Sequence, residues 1–155
     1  MVQDTMFKIE VNKNARCYVQ NRIEIEASPE TVYKVLADVN HWPEWIGAVK
    51  SANLIGQPET GKSFVWKADG YKLTSTFHTL KPGQAIGWTG KAMWLTAVHN
   101  WVLLEENGKT VVQVYESMEG FGAGWMKGSL GKRMAKSLLE LKDRAEFMQQ
   151  EGKNM

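Results

Sequence analysis

Apolar and polar residues alternate along two adjacent stretches between Met93 and Gly120, which meet at the dipeptide Asn107-Gly108. Alternation with a period of two is typical of half-buried β-strands, and Asn-Gly supplies the positive φ angles that a two-residue hairpin turn needs. This turn fixes the register, so we predict that His99 and Glu116 face each other across the hairpin. The predicted interior face is apolar apart from this pair and carries Leu95, Ala97, His99, Trp101, Leu103, Val112, Val114, Glu116 and Met118. The opposite face is predicted to meet solvent or a rim and carries Thr96, Asn100, Gln113, Tyr115 and Ser117.

Further turn signals precede this hairpin, at Asp69-Gly70 and at Pro82-Gly83 within a turn from Lys81 to Gln84. The cross-strand pairs that these two turns predict are Phe64 with Ser75, Trp66 with Leu73, and Phe77 with Trp88. A tight turn at Lys91-Ala92 is predicted to place Trp88 beside Leu95. A single register error would move a whole strand's side chains to the other face, so the agreement of these turns on one face predicts an antiparallel meander.

The segment before the meander predicts a strand and two short helices. Residues 16–27 alternate as a first strand, and Ser28-Pro29 then supplies an N-cap and a first helical residue. Pro43 is predicted to open a second short helix, where Trp42 and Trp45 pack against the core. Residues 49–56 predict a weak strand. For residues 1–14 an additional edge strand and a loose tail both remain open.

The last thirty residues change to a helical pattern from about Trp125. The apolar positions recur at intervals of three or four and are Leu130, Met134, Leu138, Leu141, Ala145 and Met148. A helix with such a stripe needs an apolar partner, and we expect it to lie across the concave face of the sheet. The basic residues Lys127, Lys132, Arg133 and Lys136 are predicted to form a solvated face, with contact to anionic lipid headgroups as the alternative. The fold class predicted from all elements is α+β.

Composition narrows the function classes. A length of 155 residues predicts a single domain, residues 1–155. The formal net charge of +2 is too small for the extended basic surface of a nucleic-acid-binding protein. The single cysteine, Cys17, excludes an internal disulfide and favours a reducing, cytoplasmic location. No signal peptide and no stable membrane insertion are predicted. His41 and His78 are predicted to be exposed, and no histidine spacing indicates a metal or a cofactor.

Four stretches resemble the polyketide cyclase/dehydrase branch of the START-like superfamily, also called SRPBCC. They are SPETVYKVLADVNHWPEWIGAVK, the strand start from Gly61 to Phe64, KPGQAIGWTG, and AVHNWVLLEENGKTVVQVYESMEG. The resemblance covers residues 16–148 and implies the helix-grip fold, a curved antiparallel sheet around a long C-terminal helix. It further implies a cavity between sheet and helix for a small apolar or aromatic molecule, a lipid or a polyketide-like intermediate.

The predicted ligand-binding residues combine the interior face of the meander with the start of the last helix. They are Phe64, Trp66, Leu73, Ser75, Phe77, Trp88, His99, Trp101, Glu116, Met118, Met126, Leu130 and Met134. Within this set His99 and Glu116 admit three interpretations: a polar anchor for a ligand, a general acid/base pair, or a structural pair. The segments 57–61 and 120–124 contain glycines that would suit lids or simple breaks.

Three functions therefore remain open from the sequence. The first is a protein, monomer or homodimer, that binds a small hydrophobic molecule. The second is a cyclase or dehydrase that uses His99 and Glu116 for proton transfer. The third is a protein-binding module similar to chaperone activators, which predicts a filled interior and an exposed apolar patch.

Overall fold

The computed structural model describes residues 6–153, and they form a seven-stranded antiparallel sheet with a long helix against it. The strands are β1 Cys17–Ile25, β2 Val49–Asn53, β3 Ser63–Ala68, β4 Tyr71–Lys81, β5 Ala85–Ala92, β6 Leu95–Glu106 and β7 Lys109–Glu119. The helices are α1 Pro29–Ala37, α2 Lys127–Lys153 and two 3₁₀ helices, Val39–Glu44 and Ala123–Met126. The sheet order is β1-β7-β6-β5-β4-β3-β2, and the α+β helix-grip architecture is confirmed.

Local chemistry explains where the first helix begins. The Ser28 hydroxyl accepts a hydrogen bond from the Thr31 amide at 3.2 Å, and Pro29 occupies the first turn, as the sequence predicted. The prediction for Pro43 was wrong, because this residue lies inside the 3₁₀ helix Val39–Glu44 and does not open it. Trp42 is buried in this helix, where its indole N–H donates to the Leu36 carbonyl at 3.0 Å.

The hairpin turns at Asn107-Gly108 and Asp69-Gly70 follow the prediction. Asn107 and Gly108 have φ angles of 53° and 80°, and this turn pairs His99 with Glu116. Asp69-Gly70 has φ angles of 51° and 82°, and it sets the β3–β4 register in which Trp66 pairs with Leu73. Positive φ at both central residues matches the twist of the flanking strands, which is why these dipeptides determine the register.

The turn between β4 and β5 is one residue longer than predicted. Lys81 pairs with Ala85, which leaves three residues in the loop, and a β-bulge at His78 then restores the predicted pairing of Phe77 with Trp88. The bulge puts two consecutive residues, His78 and Thr79, on the outer face and turns the apolar Leu80 towards the core. Nothing in the sequence indicates that an extra loop residue would be offset by a β-bulge.

The turn between β5 and β6 lies at Met93-Trp94, and the predicted turn at Lys91-Ala92 was wrong. Met93 adopts a positive φ of 57°, and Trp88 consequently pairs with His99 and not with Leu95. The partner on β6 is displaced by four positions, an even number, so the predicted interior face is unchanged. The error therefore altered the neighbours of Trp88 without altering its side of the sheet.

Apolar residues from the concave face, α1 and α2 form one large buried cluster. A smaller cluster near the start of α2 contains Cys17, Ala123 and Leu130, against which Leu95 and Met118 pack. Cys17 is completely buried, and burial is the main reason why the pKa of its thiol is raised. Met148, predicted on the apolar stripe of α2, is 43% exposed because it lies near the end of the helix, beyond its last buried residue, Ala145.

Residues 6–15 lie across the outer face of the sheet, where the sequence predicted solvent. The Lys8 amide donates to Thr79 Oγ1 at 2.9 Å, and the Asn12 amide donates to Ser117 Oγ at 3.0 Å. Asn100 Nδ2 donates to the Ile9 carbonyl at 3.0 Å. This segment is therefore neither a strand nor loose, and the remainder of the ambiguous N-terminus, residues 1–5, lies outside the described residues.

The N-terminal segment corrects three predictions of exposure. Asn100 and Ser117 are buried on the outer face, and His78 is only 6% exposed. His41 is exposed as predicted, with 54% of its side chain accessible. A polar face can be covered by another polar segment when hydrogen bonds replace those to water, and the alternation pattern does not reveal such a cover.

We expect His78 to make the protein less stable in mild acid. Burial lowers the pKa of His78, while Asn100 opposes part of this effect and Lys8 adds to it. His78 Nε2 and Asn100 Oδ1 lack a hydrogen bond of good geometry, so burial is the dominant cause. The neutral ring is favoured in the folded state, so its contribution is present above the unfolded pKa of about 6.5 and is lost as the pH falls below it.

Urea unfolding of the wild type and His78→Gln at pH values about one unit above and below 6.5 measures this effect. The variant is expected to lose less free energy of unfolding on acidification than the wild type. His41→Gln is the matched control with the opposite sign. A hydrogen bond to Asp38 raises the pKa of His41, so its contribution is present at low pH and is lost as the pH rises. Equal acid sensitivity of His78→Gln and wild type would contradict the prediction.

Candidate functional site

A cavity of about 150 Å³ lies between the concave face of the sheet and the first half of α2. Eleven of the thirteen residues predicted to bind a ligand lie on its wall: Trp66, Leu73, Ser75, Trp88, His99, Trp101, Glu116, Met118, Met126, Leu130 and Met134. The interior face that the turns specified is therefore the face that lines the cavity. That these residues bind a ligand stays a prediction.

Phe64 and Phe77, the other two predicted site residues, are not on the wall. Both are fully buried: the Phe64 ring lies 5.5 Å from that of Trp42, and the Phe77 ring lies 4.9 Å from that of Phe64 and 6.3 Å from that of Trp88. Trp42 and Trp88, which do line the cavity, contact these rings from the cavity side. The prediction for these two residues is corrected: they belong to the packed core.

Several wall residues were not among the predicted set. Trp42 and Trp45 were expected to pack, with gating of the entrance as the lesser alternative, and both reach the cavity. Arg133 was assigned to a solvated face, but it lines the cavity and its Nε lies 2.6 Å from a carboxylate oxygen of Asp69. This ion pair joins α2 to the β3–β4 turn across the cavity, a contact between distant segments that no local pattern reveals.

The polar centre of the wall is the His99–Glu116 pair. His99 Nδ1 lies 2.9 Å from Glu116 Oε1, and both side chains are largely buried. The ring of His99 also contacts those of Trp88 and Trp101, with centroid distances of 4.8 Å and 5.1 Å. The carboxylate accepts from Nδ1–H and so assigns this tautomer, which leaves Nε2 as an acceptor in the neutral ring.

Two ring nitrogens at this centre have no hydrogen-bond partner among residues 6–153. They are His99 Nε2 and Trp101 Nε1, and both atoms are buried. An unsatisfied buried polar group costs about 1–3 kcal/mol, so native proteins rarely contain two in adjacent rings without a reason. Ser75 differs, because its hydroxyl accepts from the Trp66 indole N–H at 3.0 Å. The centre of the wall therefore contains one donor and one acceptor without a partner, both on β6.

Within residues 6–153 no group of three metal-ligating side chains is close enough to hold a metal ion. No helix in that range is both long and apolar enough to cross a membrane.

Residues 16–146 match the family model described as polyketide cyclase / dehydrase and lipid transport. No curated protein matches the chain.

Solved structures with low sequence identity share the fold. A hypothetical protein from Helicobacter pylori has a TM-score of 0.76 at 14% identity, covering 86% of this chain and 90% of its own. A START superfamily protein from Mycobacterium smegmatis has a TM-score of 0.74 at 15% identity, with coverages of 84% and 98%. The Zhui aromatase/cyclase from a Streptomyces species has a TM-score of 0.70 at 15% identity, with coverages of 83% and 93%.

Proposed function

This chain belongs to the polyketide cyclase / dehydrase and lipid transport family, and from that premise we propose that it binds a small apolar ring compound that carries one hydrogen-bonding group. The observation that carries this proposal is the pair of unpartnered nitrogens, His99 Nε2 and Trp101 Nε1, in an otherwise mainly apolar wall. Ligand pockets typically combine such a wall with a few placed polar groups that fix the orientation.

The size of the cavity limits the ligand class. An engineered cavity of about 150 Å³ accepts benzene, whereas sites for drug-sized ligands measure about 300–1,000 Å³. A cavity of about 150 Å³ therefore favours a single ring over a long acyl chain or a fused polycycle. Three of the five tryptophan rings on the wall, those of Trp66, Trp88 and Trp101, would supply flat contact surfaces for such a ring.

The free nitrogens further define the polar group of the ligand. The Trp101 indole can only donate, so it requires an acceptor such as a carbonyl or hydroxyl oxygen. His99 Nε2 accepts while the ring is neutral, so a hydroxyl hydrogen would satisfy it. A phenol-like hydroxyl meets both requirements with one atom, and a ketone oxygen meets the first.

We expect Trp101→Phe to remove the preference for a hydroxylated ring. Wild-type protein should bind phenol more tightly than toluene, a ring compound of the same size without the polar group. Loss of one neutral hydrogen bond of about 0.5–1.5 kcal/mol predicts a roughly two- to tenfold weaker affinity of the variant for phenol, with toluene little affected. Titration followed by NMR measures both affinities.

Trp125→Phe is the matched control, because Trp125 is 84% exposed and is not on the cavity wall. It should retain the wild-type preference for phenol. If wild type binds phenol and toluene equally, or if Trp101→Phe keeps the preference, the proposed polar anchor is wrong. If neither compound binds, the ligand proposal itself fails.

A second candidate function uses the same pair for catalysis. Glu116 holds the Nδ1 side of His99, which leaves Nε2 free to move a proton in a cyclisation or dehydration. Incubation with a ring precursor that carries a β-hydroxyketone, followed by mass spectrometry, separates the two functions. A product that has lost water, formed by wild type but not by Glu116→Gln, would support an enzyme, whereas an unchanged bound compound would support a carrier or sensor.

Three further properties are part of the proposal. The chain acts as one domain, as a monomer or homodimer, and needs neither nucleic acid nor cofactor. A free, buried Cys17 fits a reducing compartment such as the cytoplasm. The third interpretation, a chaperone-activator-like module, predicted a filled interior and an exposed apolar patch; the cavity weighs against the first, whereas Met93, Trp94, Phe121 and Trp125 are exposed as the second requires.

A further inference from the structure

Four large apolar side chains project from two neighbouring loops at one end of the sheet: the β5–β6 turn, and the β7–α2 connection with its short 3₁₀ helix. We call Met93, Trp94, Phe121 and Trp125 the aromatic rim; they are 73%, 58%, 78% and 84% exposed, respectively. Scattered exposed apolar residues need no explanation, but several large ones that contact one another usually mark an interaction site. No element among residues 6–153 covers the rim.

The rim is held together by specific contacts between the β5–β6 turn and the segment after β7. The Trp94 indole N–H donates to the Phe121 carbonyl at 2.8 Å, and the Phe121 and Trp125 rings meet edge to face at 6.0 Å. Gly120, with a φ of 124°, lies so close to the Trp94 carbonyl that a Cβ at this position would be 2.5 Å from its oxygen. These contacts fix the two loops against each other with their apolar side chains outward.

The rim adjoins the cavity described above. The residues next to its two loops, Leu95 on one side and Met118 and Met126 on the other, line the cavity wall. An apolar molecule that left the cavity between these loops would therefore meet the rim first. The rim is the apolar border of the cavity at this end.

Positive charge surrounds the rim. The exposed side chains of Arg16, Lys91 and Lys127 lie on segments that flank the two loops, and Arg16 packs beside Gly124. No ion pair involves any of these three cations among the residues described. The only acidic side chain between residues 107 and 139 other than Glu116 is Glu119, which accepts a hydrogen bond from Asn12 Nδ2 at 2.8 Å.

We propose that the aromatic rim docks on the surface of an anionic lipid bilayer and that apolar ligands enter or leave the cavity there. Tryptophan and phenylalanine favour the boundary between headgroups and acyl chains, and each lysine or arginine near such a surface adds attraction to anionic lipids. The indole of Trp94 keeps its N–H occupied by the Phe121 carbonyl, so its ring can enter this boundary without losing a hydrogen bond.

A bilayer fits these features better than a protein partner. The apolar residues sit on a two-residue turn and on the connection between β7 and α2, not on the face of a sheet or long helix, and the charge of the flanking segments is positive apart from Glu119. Protein interfaces tend to be depleted in lysine, whereas a lysine-flanked aromatic patch is typical of proteins that lie on membranes. The inference does not depend on which ligand the cavity holds.

Co-sedimentation with vesicles tests the inference directly. The full-length protein should bind vesicles of phosphatidylcholine with phosphatidylglycerol, and it should bind vesicles of phosphatidylcholine alone much less. Phe121→Ser/Trp125→Ser should weaken binding to the anionic vesicles by about tenfold or more. Arg16→Gln/Lys127→Gln should weaken it by about fivefold for each cation removed, and added salt should abolish that difference.

Leu139→Ser/Phe147→Ser is the matched control, because these residues of α2 are 59% and 57% exposed but lie well along the helix from the rim. This variant should bind vesicles as wild type does. The inference is overturned if wild type does not bind anionic vesicles or if the rim and control variants bind equally. It is also overturned if sedimentation velocity shows a dimer that the rim variant alone disrupts, since a second copy would then occupy the rim.

Discussion

Replacement of Trp42 by alanine is expected to lower the free energy of unfolding by about 3–5 kcal/mol. Trp42 is 2% exposed and stands between the packed core and the cavity. Its ring contacts those of Phe64, Trp66 and Trp88, with centroid distances of 5.3 to 5.5 Å. The substitution removes these contacts, leaves a void, and also leaves the Leu36 carbonyl without the indole donor.

Chemical denaturation of Trp42→Ala and Trp125→Ala measures this effect with a built-in control. Trp125 has the same side chain but is 84% exposed, so its replacement should change the free energy of unfolding by no more than about 0.5 kcal/mol. Trp42→Ala should in addition accept ligands larger than a single ring, because the void would join the cavity. Nearly equal free energies of unfolding for the two variants would show that the packing of Trp42 contributes little to stability.

Gly87→Ala is expected to destabilise the protein by about 1–3 kcal/mol through steric conflict on the outer face. A Cβ at position 87 would meet the His78 ring and would lie 2.8 Å from Asn100 Oδ1. Neither side chain can move freely, because His78 Nδ1 lies 2.8 Å from Thr79 Oγ1 and Asn100 Nδ2 donates a hydrogen bond to the Ile9 carbonyl. The added methyl group should therefore displace the anchors of the N-terminal segment as well.

Two measurements separate this local effect from general damage. Gly90→Ala on the same strand should be tolerated, because its Cβ would meet only ordinary contacts at 3.6 Å and 3.9 Å. Hydrogen exchange of the Lys8 amide, which donates to Thr79, should accelerate in Gly87→Ala but not in Gly90→Ala. Similar stability and exchange in the two variants would show that the outer face has room to adjust.

The sequence predicted the interior face well because several independent turns had to agree on it. Asn107-Gly108 and Asp69-Gly70 each require positive φ at two positions, and so each determined a register that the structure contains. Where the turn residues were less specific, as at Lys91-Ala92, the position of the turn was wrong by two residues. The predicted interior face was still correct, because a shift by an even number of residues leaves each side chain on the same face of the sheet.

Contacts between distant segments were beyond reach of the sequence patterns. The burial of His78 results from a bulge in β4 and from a cover by residues 6–15, neither of which has a local signature. The ion pair of Arg133 with Asp69 likewise joins residues far apart in the chain. Phe64 and Phe77 point to the predicted side, but whether an inward residue meets core or cavity depends on Trp42, which comes from another element.

The polar centre illustrates what periodicity can and cannot specify. Period two and one turn predicted that His99 and Glu116 would be neighbours, and their atoms lie 2.9 Å apart. The same reasoning assigned Trp101 to the wall but gave no indication that its N–H would lack a partner. An unsatisfied atom is a property of the complete packing, so only the folded chain reveals it.

Cys17 is the single cysteine of the chain, and its reactivity can report local opening of the structure around it. It sits fully enclosed beneath the segment that links β7 to α2, in contact range of Ala123 and Leu130. A thiol-specific reagent can reach it only when the packing around it opens, so the rate of modification reports on local opening at this end of the unaltered protein. If ligands enter the cavity beside this segment, as proposed above, their addition should change the rate at which Cys17 is modified.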